Sequence, residues 1–139
     1  MPKRGAPVKV LQRVPLFADL SRREVQQIAR LFKVRRFSEG ETVIKEGSGG
    51  AAFFVIESGE ATVSIRSKKQ TTLKPDDYFG EIALIDEGTR MAPITASSEL
   101  VCWGLTYWDF RPLVKANGVI GWKLLQRMAK MLRAARDSG

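Results

Sequence analysis

The chain has 139 residues, 44% apolar and 27% charged, a length and mixture that suit one globular domain with its own core rather than a disordered segment. It contains no histidine and a single cysteine, which removes imidazole metal ligands, the Ser–His and Cys–His catalytic pairs and any internal disulfide. The net charge of +8 is gathered at the ends: residues 1–36 carry ten Lys/Arg against two Asp/Glu, residues 37–110 six against twelve, and residues 111–139 seven against one.

The first strong local signal lies at Asp19 to Glu24. Ser21 is a good N-cap and Glu24 follows three residues later, the pattern of a capping box. Val25, Ile28, Ala29, Leu31 and Phe32 then keep helical spacing with basic residues between them, which predicts an amphipathic helix over 19–33.

From Val34 onward the apolar runs become short and are punctuated by turns. Thr42-Val43-Ile44, Phe53-Phe54-Val55-Ile56, Ala61 to Ile65, the region from Ile94 and Leu100 to Leu105 read as strands, separated by Glu46 to Gly50, Glu57 to Glu60, Arg66 to Gln70 and Lys74 to Asp77. Strands at intervals of roughly 8 to 12 residues with Gly-rich turns point to a mainly β protein, a β jelly roll. Cys102 falls inside Leu100 to Leu105, so a buried core thiol is its expected role.

Helical periodicity returns after Leu105. Tyr107 to Lys115 predicts a short helix, Asn117-Gly118 a break, and Val119, Ile120, Trp122, Leu124, Leu125, Met128, Met131 and Leu132 a longer helix with Lys and Arg around it. The architecture expected is one N-terminal helix, a roll and two C-terminal helices in a single domain spanning 1–139. Its parts are a helical segment at about 14–36, the roll at 37–106, and the C-terminal helices at 107–136.

Within the roll, Phe79-Gly80-Glu81-Ile82-Ala83-Leu84-Ile85, followed by Arg90-Met91-Ala92, stands apart chemically. A glycine opens a short apolar helical turn whose free amides can face a phosphate, and an arginine returns to neutralise it. Arg90 is the one arginine between Arg66 and Arg111, in a stretch that is otherwise acidic.

Together these residues resemble the cyclic nucleotide-binding domain of catabolite-activator-type regulators, of the regulatory subunit of cAMP-dependent kinase and of cyclic nucleotide-regulated channels. The resemblance runs from Val14-Pro15-Leu16-Phe17 through Gly40-Glu41, Glu46-Gly47, Phe53 to Ile56 with Gly59, and Tyr78 to Leu84 with Arg90, to the closing helices. It implies a phosphate-binding cassette over 79–92, in which Phe79, Gly80, Glu81, Ile82, Ala83, Arg90, Met91 and Ala92 form the ligand site. The amides around Ile82 and Ala83 would bond the cyclic phosphate, Glu81 would accept from the ribose 2′-hydroxyl, and Arg90 would pair with a phosphate oxygen. Gly80 admits a close backbone approach, and Ala92 keeps the facing strand small.

Four positions depart from the family pattern. Asp76 stands at a usual glycine, where Asp tolerates a left-handed turn, and Ala51 replaces an aspartate of the glycine-rich hairpin. Met91 occupies a position where cGMP-preferring members often carry a hydroxyl, which implies cAMP as the ligand, with cGMP second. Pro93 has no amide to give a strand ladder and predicts a local irregularity there.

The resemblance implies a binding and sensing module with no catalysis, no metal and no cofactor beyond the nucleotide, whose closing helices act as hinge and lid. Trp122, Met128, Met131 or the stem of Arg127 are the candidates to cover the base, while periodicity alone places Trp122, Leu125, Met128 and Leu132 against the roll. No apolar run reaches the ~18 residues of a membrane span and the first residues lack an apolar signal core, so a cytoplasmic location is expected. The basic ends support a second reading, a nucleic-acid-binding or protein-interaction module with a degenerate pocket; solvated helical faces explain the charge more simply, and nucleic acid is not the expected partner of this chain alone.

Overall fold

A computed structural model describes residues 5–44, 52–65, 69–85 and 93–138. The predicted turn at 46–50, Ala51, residues 66–68 and the cassette residues Arg90, Met91 and Ala92 lie outside the described residues.

The fold is mainly antiparallel β with flanking helices. Helix α1 (Val8–Gln12) and a 3-10 turn (Pro15–Phe17) precede α2 (Arg22–Ala29). The predicted capping box opens α2: the Ser21 amide donates to Glu24 Oε1 at 2.7 Å and the Glu24 amide to Ser21 Oγ at 3.2 Å. The short helix α1 is an addition to the single N-terminal helix read from the sequence; Val10 and Leu11 bury its inner side.

Eight strands follow among the described residues: β1 (Lys33–Phe37), β2 (Thr42–Ile44), β3 (Ala52–Ser58), β4 (Ala61–Ile65), β5 (Lys69–Leu73), β6 (Tyr78–Phe79), β7 (Ile94–Ala96) and β8 (Leu100–Thr106). They form two four-stranded sheets, ordered β1-β8-β3-β6 and β2-β7-β4-β5. The first sheet is covered on both faces, which explains why β3 reads as an unbroken apolar run rather than an alternating one. Phe53 and Val55 of β3, with Trp103 and Leu105 of β8, face the helices. Phe54, Ile56, Leu100 and Cys102 face the interior of the roll, where Ala61, Ile94 and Ala96 of the second sheet meet them. Burial pushes the Cys102 thiol up to about 12, so it stays protonated at neutral pH and serves as a core side chain.

The turn before the cassette follows the sequence reading. Asp76 adopts φ 72°, the left-handed region that a glycine usually supplies. Its amide donates to the Ile56 carbonyl at 2.9 Å, the Lys74 amide donates to Asp77 Oδ2 at 2.8 Å, and Arg13 Nη2 donates to the Asp76 carbonyl at 3.2 Å. Pro93 sits just ahead of β7 and its carbonyl accepts from the Ser64 amide at 3.1 Å. The ladder irregularity expected near it appears between β2 and β7, at Thr42/Ile44.

Two helices close the chain, α3 (Tyr107–Ala116) and α4 (Gly118–Ser138). Thr106 Oγ1 caps α3 by accepting from the Asp109 amide at 3.1 Å. Asn117 marks the break, its Oδ1 accepting from the Ile120 amide at 3.4 Å. Ile120 and Leu124 are the α4 residues that enter the core. Trp122, Leu125 and Leu132 do not pack against the roll as their periodicity suggested: each is more than half exposed, because α4 extends past the body with one apolar stripe uncovered. No helix among the described residues is long and apolar enough to cross a membrane.

Candidate functional site

The cassette begins where β6 ends. Phe79 pairs with Phe54 across the β3–β6 ladder, and their rings lie 5.3 Å apart at 30°, which fixes the floor beneath the turn. Gly80 then takes φ 87°, ψ 15°, a left-handed conformation that costs an L side chain roughly 1–2 kcal/mol. That reversal starts the 3-10 turn Glu81–Leu84, in which Leu84 is buried and Ile82 and Ile85 are partly exposed. The predicted glycine-then-turn arrangement is therefore present, with 3-10 rather than α geometry.

Glu81 is half-buried, and burial raises its carboxyl above the usual 4.5; its own amide and that of Ile82 act in the opposite direction. The carboxylate thus lies near the two leading amides of the turn. Tyr78, one strand position before Phe79, is raised chiefly by burial and secondarily by the Glu81 charge. Its ring meets Phe53 edge-on at 5.9 Å.

Of the eight residues expected to form the site, the structure places Phe79, Gly80, Glu81, Ile82 and the backbone of Ala83 on one continuous strand-and-turn unit. Arg90, Met91 and Ala92 fall outside the described residues. What the sequence reading missed is the role of Leu84. It is 2% exposed and joins the same core cluster as Phe110 of α3 and Leu124 of α4. Leu84 and Ile85 also line a groove of about 310 Å³ whose other walls are α3 and α4. The apolar residue that follows the cassette amides was the available signal, but its partner helices lie more than twenty residues away in sequence.

Helix α4 is tied at its other side to the N-terminal helical segment. Lys123 Nζ donates to Glu24 Oε1 at 2.8 Å, Arg127 Nη2 to Asp19 Oδ1 at 2.6 Å and Lys130 Nζ to Asp19 Oδ2 at 3.1 Å. The Arg127 and Lys130 cations hold the Asp19 carboxyl below its ordinary value, and Lys123 together with the Ser21 amide does the same for Glu24. Arg127, one of the lid candidates, is thus engaged with Asp19.

Comparison with known proteins agrees with this geometry. The sequence profile of the cyclic nucleotide-binding domain matches residues 34–117, more than half of the chain. A cGMP-dependent protein kinase of Eimeria tenella is 35% identical over 107 residues, which is 76% of this chain and 11% of that protein. A cAMP-dependent protein kinase regulatory subunit of Yarrowia lipolytica is 39% identical over 92 residues, 65% of this chain and 24% of that protein. The chain therefore spans a quarter or less of these relatives. The crystal structure of the N-terminal domain of a transcriptional regulator from Streptomyces coelicolor A3(2) superposes with a TM-score of 0.79 at 26% identity, covering 94% of each chain. A left-handed glycine opening the cassette turn, two sheets closed into a roll, and a family profile spanning both place this chain in the cyclic nucleotide-binding domain family.

Proposed function

We propose that this chain is a single-domain cytoplasmic regulatory module that binds cAMP in preference to cGMP within residues 79–92, carries out no reaction, and passes occupancy to α3 and α4. The observation that carries the reading is the Gly80-led turn with Leu84 anchored between the roll and the helices. In this reading the amides of Ile82 and Ala83 bond the cyclic phosphate, and Arg90 pairs with a phosphate oxygen in the geometry guanidinium favours. Glu81 turns from the leading amides toward the ribose 2′-hydroxyl as phosphate takes its place. Phe79 supports the floor, Gly80 gives access, and Ala92 leaves room on the facing strand.

The base preference rests on Met91. The relatives include a cGMP-dependent kinase and a cAMP-dependent regulatory subunit, so family alone leaves the base open. A thioether offers guanine no strong donor, whereas adenine does not require one at that position.

Occupancy moves the closing helices only through differential affinity. A ligand that prefers one arrangement tenfold shifts the equilibrium by about 1.4 kcal/mol, and a hundredfold preference by about twice that. Leu84 is the lever, since a shift of the turn that carries Ile82 and Ala83 displaces a side chain that shares a core cluster and a groove with Phe110 and Leu124.

Titration calorimetry with cAMP, cGMP and 5′-AMP tests the reading. Saturable one-to-one heat is expected with cAMP, weaker binding with cGMP, and the weakest with 5′-AMP, which lacks the cyclic ester. No heat with either cyclic nucleotide contradicts the function, and tighter cGMP binding contradicts the role given to Met91.

A further inference from the structure

The groove between the cassette turn, α3 and α4 opens onto the uncovered stripe of α4. Leu125 and Met128 line the groove and are themselves exposed, at 58% and 37%. Trp122 precedes Leu125 by three residues and Leu132 follows Met128 by four, and both are more than 60% exposed. This three-and-four spacing puts the four side chains along one side of the helix, the spacing by which one helix receives another.

The charges around that stripe have one sign. Arg111 and Lys115 of α3 line the groove, and Arg136 follows Leu132 by four residues, at the far end of the stripe, with Arg133 beside it. Among the described residues none of these four cations meets a carboxylate, in contrast with Lys123, Arg127 and Lys130 on the opposite side of α4. The helix therefore spends its paired cations on the body of the protein and leaves the others beside exposed apolar side chains.

We infer that this groove and stripe form the docking site for an acidic amphipathic helix of a partner protein. Its apolar residues would fill the groove beside Leu125 and Met128, and its flanking carboxylates would meet Arg111, Lys115, Arg133 and Arg136. Charge complementarity selects this occupant over a second copy, because Arg111, Lys115, Arg133 and Arg136 beside the groove and stripe meet no carboxylate among the described residues, and self-pairing along the stripe would set these like charges together. A membrane surface fits less well, since a recess of about 310 Å³ between two helices accepts side chains rather than a flat layer of headgroups. The groove borders the cassette turn through Leu84 and Ile85, and the inference concerns docking to the chain without nucleotide.

The test uses the full chain without nucleotide and a fluorescent peptide about three heptads long, with leucine at the core positions and glutamate beside them. A matched peptide carries lysine in place of glutamate, and anionic phosphatidylserine vesicles form a third arm. Saturable one-to-one binding of the glutamate peptide alone is expected. Leu125→Asp or Leu132→Asp should weaken it by about tenfold or more, as loss of an apolar anchor does, and Arg111→Glu with Lys115→Glu by a smaller factor that shrinks as salt rises. All four positions are exposed, and circular dichroism confirms that the variants fold. Equal binding of the lysine peptide, indifference to the leucine substitutions, vesicle binding without peptide binding, or sedimentation of the wild type as a dimer that the leucine substitutions dissociate would each overturn the inference.

Discussion

The cassette turn and α4 meet in one groove but are held by different forces. On the cassette side, Gly80 fixes the backbone by conformation, Phe79 locks onto Phe54, and Leu84 is sunk in the core. On the other side, α4 gives the core only Ile120 and Leu124 along 21 residues and relies for the rest on ion pairs to Asp19 and Glu24. Packing in an aromatic core leaves a side chain few alternatives, whereas ion pairs near the surface contribute little and exchange readily with water. The difference separates a part held by packing and backbone conformation from a part held near the surface by ion pairs.

The comparison is broken most severely at its shared support. Phe53 is fully buried and touches Phe17, Phe32 and Tyr78, so it joins the helical side to the sheet that carries the cassette. Phe53→Ala should cost about 3–5 kcal/mol in urea unfolding. A loss below 1 kcal/mol, on this scale, means that the two halves do not share this core.

Arg90→Ala separates binding from folding. It should weaken cAMP binding by about 1.5–3 kcal/mol, the size of a lost charge-assisted bond, while leaving the urea midpoint of the free chain unchanged. Unaltered affinity in this variant removes Arg90 from the site.

Gly80→Ala sharpens the claim that the cassette is held by conformation. A side chain at φ 87° should destabilise the fold by about 1–2 kcal/mol and lower cAMP affinity as well, since the amides that follow are displaced. Substitution without any effect would mean that the turn does not depend on its left-handed start.

The smallest effect is expected from acid, and it falls on α4. The carboxyls of Asp19 and Glu24 are depressed by their cations, so the stability they contribute is whole above their ordinary values of 3.8 and 4.5 and is lost as pH falls below those values toward the depressed ones. Hydrogen exchange through that window should speed in α4 before it speeds in β3 and β8. Simultaneous loss of protection in all three would mean that α4 is no looser than the roll.

Much of this was legible in the sequence wherever the signal was local. The capping box of Ser21 and Glu24, the left-handed Asp76, the break at Asn117 and the Gly80-led turn each follow from residues within a few positions of one another. Strand β1 was not, because Lys33–Phe37 lies at a sheet edge and buries only Phe37, so it carries no apolar alternation. The exposed stripe of α4 was not legible either. Periodicity identifies an apolar side of a helix but does not say whether the body of the protein reaches it, and here coverage stops after Leu124. The link from Leu84 to Phe110 and Leu124 was hidden for a related reason, since long-range packing leaves no mark on local spacing.

The amide resonances of the cassette test the central claim most directly. In proton–nitrogen correlation spectra of the chain titrated with cAMP, the Ile82 and Ala83 amides should move downfield as they bond the phosphate, accompanied by shifts in α4 near Leu124, and Arg90→Ala should abolish both at the same ligand concentration. Shifts that bypass Gly80 to Leu84, or that survive in the Arg90 variant unchanged, contradict the account.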